Sequence, residues 1–457
     1  MKKLIILYCI SAWVGLGACS VYKSYERPDM PVVDSLYRQA AATSADTTSI
    51  ASLSWRELFT DPKLQALIET GLQNNTDLNI ARLKVTEAEA TLMTSRLAYL
   101  PSISFEPSGT LRSVDGNAMT KSYDIAASAS WEVDIFGKLT NAKRGAKAAL
   151  EQSEAYRQAV QTQLIATIAN SYYSLLMLDA QLDISERTAA NWGENVRAMK
   201  ALKAAGDATE LAVAQSEASK LSVDASIASL RQQIDQMENT LTALLGIAPQ
   251  KIDRTTIGEQ RFPTELAAGV PLQLLQRRPD VRQSEAALAQ AFYATNAARA
   301  AFYPSITLSG SAGWTNAAGA AITNPGQWLF TAVGSLVQPL FNRGINIANL
   351  RIAKAQQEEA LLSFRQSLLD AGTDVNNALI QWQTARQRQQ IDQQQILSLE
   401  STVRSSELLM QYSSQNYLEV LTARQTLLQA ELTAVSDRFD EIQGVINLYH
   451  ALGGGAE

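Results

Sequence analysis

The chain has 457 residues, with 39 Lys and Arg against 45 Asp and Glu and a formal charge of −6. An acidic balance argues against nucleic acid as a partner. A single histidine, His450, and two cysteines, Cys9 and Cys19, speak against a zinc site, a His-based catalytic triad or a disulfide framework, and no glycine loop that cradles phosphates is present.

At the N-terminus, Lys2-Lys3 precedes an apolar stretch from Leu4 to Leu16 that is too short to span a bilayer. It ends in Leu16-Gly17-Ala18-Cys19, an order that resembles the bacterial lipoprotein signal. That resemblance implies removal of residues 1–18 and lipidation of Cys19. Ser20 at the next position implies sorting to the outer membrane. Without residues 1–18, which hold two lysines and no acid, 37 basic residues face 45 acidic ones and no cysteine remains to pair with Cys19. No later apolar run reaches about 18 residues, so any membrane crossing beyond the lipid must be a β-barrel.

The rest of the chain repeats itself. Ala98-Tyr99-Leu100-Pro101-Ser102-Ile103 returns as Ala301-Phe302-Tyr303-Pro304-Ser305-Ile306, Ile135-Phe136-Gly137-Lys138 as Leu340-Phe341-Asn342-Arg343, and Ala146-Lys147-Ala148 as Ala353-Lys354-Ala355. Ala243-Leu244-Leu245-Gly246 returns near Ala451-Leu452-Gly453, and the offset stays between 203 and 207 throughout. Such constancy indicates a duplicated unit. We expect an extended lipid-anchored segment over 19–61, a first copy over 62–248, a linker over 249–270 and a second copy over 271–457.

In chain order, each copy predicts a helix, at about 62–98 and about 279–302, broken by a Pro-Ser pair. Two strands follow, and then a long helical region. In Ser122–Asp134, Tyr123, Ile125, Ala127, Ala129, Trp131 and Val133 alternate with Ser, Asp, Ala and Glu, over about the 11 residues a tilted strand needs to cross an outer membrane. Ile306, Leu308, Gly310, Ala312 and Trp314 alternate likewise, whereas Ser102–Val114 is weaker and Trp328–Gln338 has apolar residues in both phases. One such strand alone fits a soluble hairpin better than a membrane strand, and the repeat, the lipoprotein signal and the lack of any other span turn the reading toward the membrane. Four strands cannot close a barrel, and an open sheet in lipid would leave unpaired backbone at both edges, so the barrel must be shared between chains.

From Lys138 to about Ala204 no proline interrupts the chain, which predicts a helix of roughly 100 Å. Near the C-terminus Leu421, Leu428, Val435, Ile442 and Tyr449 are seven apart, with Leu432, Phe439 and Ile446 interleaved, which is a coiled-coil seam.

Several segments together are similar to the TolC-like outer-membrane efflux proteins, in the lipoprotein branch of OprM and NodT-type factors. They are Leu274-Leu275-Gln276-Arg277-Arg278-Pro279-Asp280-Val281-Arg282 with Glu285, Trp55 through Leu64, Trp131 through Gly137, and Val445 through Gly455. The match covers essentially the whole chain after the signal. Independently of it, Pro279 suits a first helical turn and Asp280 its dipole, so Arg278-Pro279-Asp280 reads as architecture. The resemblance implies a homotrimer with a mainly α fold, in which four strands per chain enter a shared twelve-stranded β-barrel above a long periplasmic helical barrel. It implies an outer-membrane location in contact with lipid, docking on a periplasmic adaptor (membrane fusion) protein served by an inner-membrane resistance-nodulation-division pump. No catalysis and no cofactor are implied.

The family's periplasmic tips match at Lys203-Ala204-Ala205-Gly206-Asp207 and at Tyr412 with Tyr417 through Arg424. Gly206 suits a positive φ at the first reversal. In the second, Ser413-Ser414-Gln415-Asn416 lacks the family's usual glycine, which leaves Asn416 as the substitute, and Thr422 stands where an aspartate is frequent. Tyr412, Tyr417, Glu419 and Arg424 then become gate candidates beside Gly206, Asp207, Asn416 and Thr422. Three other readings stay open: an exit duct for type I protein secretion, a lipid-anchored periplasmic coiled-coil spacer without a pore, and, most remotely, an enzyme, for which Glu132 and Asp134 read better as lumen residues than as a catalytic pair.

Overall fold

The structure is a computed structural model that describes residues 22–28, 53–113, 115–116, 119–262, 278–316, 327–412 and 417–456. Cys19 and Asn416 lie outside these residues, as does the side chain of Tyr412. Helices α1 (Trp55–Leu58), α2 (Pro62–Asn74) and α3 (Thr76–Leu97) lead into strands β1 (Ser102–Phe105), β2 (Ser108–Arg112) and β3 (Thr120–Val133). Two long helices follow, α4 (Lys138–Ala205) and α5 (Glu210–Leu244). The second half runs α6 (Pro279–Ala300), β4 (Ser305–Thr315), β5 (Gln327–Val337), α7 (Ile345–Tyr412) and α8 (Tyr417–Ala451).

Two compact units result, one drawn from Met1–Asp29, Leu83–Glu154 and Gln283–Arg365, the other from Met30–Arg82, Ala155–Arg282 and Gln366–Glu457. Each contains pieces of both sequence copies.

In the first unit an antiparallel sheet runs in the order β1-β3-β4-β5, with β2 also on β3. The expected single strand over Ser102–Val114 is two, because Pro107 interrupts it. Both pieces keep one register on β3, from Ser102 opposite Ser130 to Arg112 opposite Thr120. The turn from β3 into α4 is fixed by Asp134, which accepts from the N–H of Leu139 at 2.9 Å, the N–H of Thr140 at 2.8 Å and the Thr140 hydroxyl at 2.6 Å. A carboxylate there satisfies amides that lack helical partners and complements the helix dipole. Residues 22–28 lie against α6 and α7: Tyr25 donates its N–H to the Tyr293 hydroxyl, and Arg27 bonds Glu285 at 2.7 Å and lies over Phe364.

The second unit holds the main apolar core. Trp55, Leu58, Phe59, Leu64 and Ile68 pack on Tyr172, Tyr173 and Leu176 of α4, Leu241 of α5, and Ile442, Ile446 and Tyr449 of α8. Ser54 and Glu57 form a reciprocal capping box that starts α1, and Asp61 caps α2 ahead of Pro62. Asp61 also accepts from the hydroxyls of Tyr172 at 2.7 Å and Thr255 at 2.5 Å and from the Gln260 amide at 3.1 Å. Burial opposes its charge, and these bonds, with the Lys63 N–H, outweigh it and hold the carboxyl below its usual value. The helix expected over 62–98 breaks at Asn75, whose side chain accepts from the Leu78 N–H and donates to the Leu244 carbonyl, ending α2 and capping α3.

Arg278 is buried. Its guanidinium meets Asp280 at 2.7 Å, Asp374 of α7 at 2.9 Å and the Ala451 carbonyl at the end of α8 at 2.9 Å, so the Arg-Pro-Asp motif joins three helices.

Candidate functional site

The sheet separates two chemistries. Ile125, Ala127, Ala129, Trp131 and Val133 of β3 stand opposite Trp314, Ala312, Gly310, Leu308 and Ile306 of β4. These in turn oppose Trp328, Phe330, Ala332, Gly334 and Leu336 of β5. Ile103 and Phe105 extend the same face on β1. Large apolar side chains on this face are open to solvent in the single chain, Trp328 at 78% and Phe330 at 79%. The reverse face carries Ser102, Ser104, Ser128, Ser130, Ser309, Ser311, Thr307, Thr331, Ser335, Asp124 and Glu132.

Aromatic side chains mark both ends of the apolar face. At one end Trp131 donates its indole N–H to the Tyr99 carbonyl at 3.0 Å. At the other, Trp314 and Trp328 lie 4.9 Å apart and the Tyr123 N–H is taken by Asn316. Rings with one apolar flank and one polar handle favour the two interfaces of a bilayer. At Gly313 a Cβ would meet the Ile125 carbonyl at 2.1 Å, so only glycine permits this approach of β4 to β3.

Sequence alone left the phase of β5 open. Pairing with β4 places Trp328, Phe330 and Leu336 on the apolar face and Leu329, Val333 and Val337 on the polar one. Both outer edges, β1 with β2 and β5, are unpaired among the described residues.

At the other candidate site, Gly206 has φ +89° and ends α4 as the Asp207 N–H reaches the Leu202 carbonyl at 2.9 Å. This doubled closure needs a left-handed residue that glycine adopts without strain. Thr209 caps α5 through the Ala212 N–H, and Lys203 pairs with Glu210 across the turn. Gly206 and Asp207 are exposed.

Tyr412 closes α7 and Tyr417 opens α8. Tyr417 is buried with Leu421 against Trp192, Met199 and Val213, and its hydroxyl donates to Gln215 at 2.9 Å, so the start of α8 packs on α4 and α5. Glu419 and Thr422 are exposed on α8, where Thr422 donates to the Leu418 carbonyl of its own helix. Arg424 has a partner that its sequence neighbourhood did not suggest, Glu407 of α7 at 2.5 and 3.0 Å, in a cleft shared with Arg187, Asn191 and Trp192 of α4.

A buried cluster escaped sequence reading altogether. Asp437 of α8 is almost wholly enclosed, faces Asp392 of α7 and is ion-paired to Arg388, which also approaches Asp440. Burial and the neighbouring Asp392 and Asp440 carboxylates push the Asp437 carboxyl up to about 6 against the attraction of Arg388. Spacing gave no signal, since 45 residues separate the two aspartates along the chain.

Among the described residues no group of His, Cys, Asp or Glu is arranged to hold a metal ion, and no helix is long and apolar enough to cross a membrane.

Comparison with known proteins places these features in context. The family model for outer membrane efflux proteins matches residues 67–247 and 270–454. The cation efflux system protein CusC of Escherichia coli O6:H1 is 31% identical over 456 residues, covering 98% of each chain. The probable outer membrane lipoprotein SilC of Salmonella typhimurium is 29% identical over 100% of this chain and 99% of its own. The open-state MtrE outer membrane channel of Neisseria gonorrhoeae superimposes with a TM-score of 0.87 at 28% identity, over 96% of this chain and 99% of that one.

Proposed function

The chain belongs to the outer membrane efflux protein family, and from that membership we propose that it acts as a passive duct, opened at its helical reversals, with no catalytic step of its own. It is the outer-membrane channel of a tripartite efflux system. It works as a homotrimer with a periplasmic adaptor and an inner-membrane resistance-nodulation-division pump, and it exports drugs or other small toxic solutes. The observation that carries the reading is the sheet: one continuous apolar face, one hydroxyl-rich face and two edges unpaired among the described residues. In hydrocarbon such edges are tolerated only when another chain pairs with them. The apolar face then meets lipid, through Tyr123, Ile125, Ala127, Ala129, Trp131 and Val133 on β3, and the Ser and Thr face lines water. A coiled-coil spacer would need no such sheet.

The reversals at Gly206 and between Tyr412 and Tyr417 form the mouth on which an adaptor acts. Asp207, Asn416, Glu419, Thr422 and Arg424 are its polar residues. The duplicated halves, 62–248 and 271–457, with the linker 249–270 between them, supply equivalent parts of the duct, and residues 19–61 tether it through Cys19.

Reconstitution of the purified trimer in planar bilayers tests this reading. We expect discrete ion conductance that grows when Arg424 is changed to Ala. Deletion of the gene should sensitise cells to toxic solutes, with wild type restoring resistance. A trimer that never conducts, in wild-type or variant form, would sink the proposal.

A further inference from the structure

Charge is spread unevenly around the end of the sheet that leads into the long helices. The chain is acidic overall, yet between Asp134 and Glu151 it carries Lys138, Lys143, Arg144 and Lys147 and no acid. Asp134 itself is taken up by the amides of Leu139 and Thr140. The second copy repeats the pattern, since Arg343, Arg351 and Lys354 follow β5 with no acid before Glu358. Arg96 and Arg299, near the ends of α3 and α6, are 203 residues apart, and Arg144 and Arg351 are 207 apart, so the basic positions belong to the duplicated unit.

The cations of the first copy divide by face. Lys138 pairs with Glu132 of the hydroxyl-rich face at 2.7 Å, and Lys147 with Glu151 of its own helix at 3.3 Å. Lys143, Arg144 and Arg299 have no carboxylate partner among the described residues. They stand instead beside tyrosines on the apolar side. Lys143 lies 5.4 Å from the ring centre of Tyr99, whose carbonyl takes the indole N–H of Trp131. Arg144 lies 5.9 Å from the ring of Tyr293, whose hydroxyl takes the N–H of Tyr25. Arg299 is exposed, donates to Asn296 at 3.2 Å and bears electrostatically on Tyr22, whose ring rests against Gly137 in the elbow from β3 to α4. An aromatic ring holds a cation in place without neutralising it. Cys19, the proposed lipid site, is three residues before Tyr22, a reach of at most about 11 Å.

We propose that Lys143, Arg144 and Arg299 bind the phosphate of an anionic phospholipid in the leaflet that meets this end of the sheet. Lys143 is five residues past the start of α4, about 8 Å beyond the elbow, and the headgroup layer of a bilayer is about 5–8 Å deep on each side. The acyl chains then lie along the apolar face at Trp131 and Val133 while the phosphate meets the three cations. Long basic side chains suit this place, with apolar stems on the protein and charge at the interface, and tyrosines mark the same level. A zwitterionic headgroup carries its own ammonium and gains less. Each Lys or Arg near the surface favours anionic lipid about fivefold.

This site rests on the lipid-facing sheet of the proposed function. Native mass spectrometry of the purified, delipidated trimer tests it, with phosphatidylglycerol, phosphatidylcholine of the same acyl chains and inorganic phosphate titrated in turn. We expect phosphatidylglycerol to be retained at least about fivefold more tightly than phosphatidylcholine, with the margin shrinking as ammonium acetate is raised. Lys143→Gln, Arg144→Gln and Arg299→Gln together should erase the preference in a chain that is still trimeric by mass. Each single variant should lower it in part, which reads the site even where the triple variant does not assemble. Lys138→Gln, on the hydroxyl-rich side, should leave it intact.

Equal retention of the two lipids by the wild type would overturn the site. So would a preference that survives all of the Lys143, Arg144 and Arg299 variants, one that is lost in Lys138→Gln, or inorganic phosphate held as tightly as the lipid. None of these outcomes touches the lipid-facing sheet, which is read separately by conductance of the same trimer in bilayers of phosphatidylcholine alone. A trimer that never conducts there would overturn the proposed function instead.

Discussion

Asp437 shows how far one buried carboxylate can depart from surface behaviour. With Asp392 and Asp440 near it and Arg388 as its cation, it holds a proton to about pH 6, whereas in the unfolded chain it would lose that proton near its ordinary 3.8. The folded state therefore binds the extra proton between roughly pH 4 and 6, and the associated stability is present at the acid end and lost as the pH rises through that window. Thermal unfolding of the solubilised trimer should show a midpoint that declines across this range, and Asp437→Asn should flatten the decline. A variant with an undiminished slope would place the titration elsewhere. Arg278 makes the opposite case, a buried cation that satisfies Asp280, Asp374 and the Ala451 carbonyl at once. Arg278→Ala leaves these acceptors without their donor and should cost about 3 kcal/mol, read as a lowered denaturation midpoint. Arg278→Lys should recover only part of it, because an ammonium cannot reproduce the planar fork.

Single strands and helices carry the next predictions. On β3, Ala127 lies at the middle of the apolar face and Ser128 on the reverse. Ala127→Arg should cost ~2–4 kcal/mol, as a cation does at the midplane of a membrane barrel, while Ser128→Arg projects into water and should be milder. Equal loss of assembled trimer from both would reverse the face assignment. Along α8, Arg424 ties the helix to Glu407 of α7. Both side chains are partly exposed, so one pair contributes about 1 kcal/mol at most, but threefold symmetry repeats it around the mouth we propose. Arg424→Ala and Glu407→Gln should each raise the conductance of the resting channel, and the double variant should add little to either. Additive effects would show that the two residues act separately.

For the molecule as a whole, the open sheet is the feature with consequences. A chain that presents an apolar sheet face with two edges unpaired among the described residues has no stable place in lipid alone. In the assembled trimer, backbone amides of all five strand segments should resist hydrogen exchange. In detergent-dissociated monomers, β1, β2 and β5 should lose protection first while β3, paired on both sides, retains it longest. Uniform loss across the sheet would mean that the edges are not where the trimer is joined.

Much of this was legible from residue order. The alternation on β3 and β4, the break-free stretch of α4, the glycine at the first reversal and the repeat offset are local or periodic signals. They follow from the twofold and 3.6-fold geometries of strand and helix, which a linear chain displays directly. The Arg278 motif could be read as architecture because Pro at a first turn and Asp beside it act within three residues. Tertiary structure alone decided the rest. The phase of β5 is ambiguous by itself, since Phe330, Val333 and Leu336 fit either face, and only the register against β4 settles it. The helix over 62–98 breaks at Asn75 because the Leu244 carbonyl, distant in sequence, engages that side chain. The ion-pair partners of Arg424 and Asp437, Glu407 and Arg388, lie 17 and 49 residues away along the chain, on another helix. Interactions across packed helices depend on which faces meet, and no periodicity within one helix records the identity of the residue on the next.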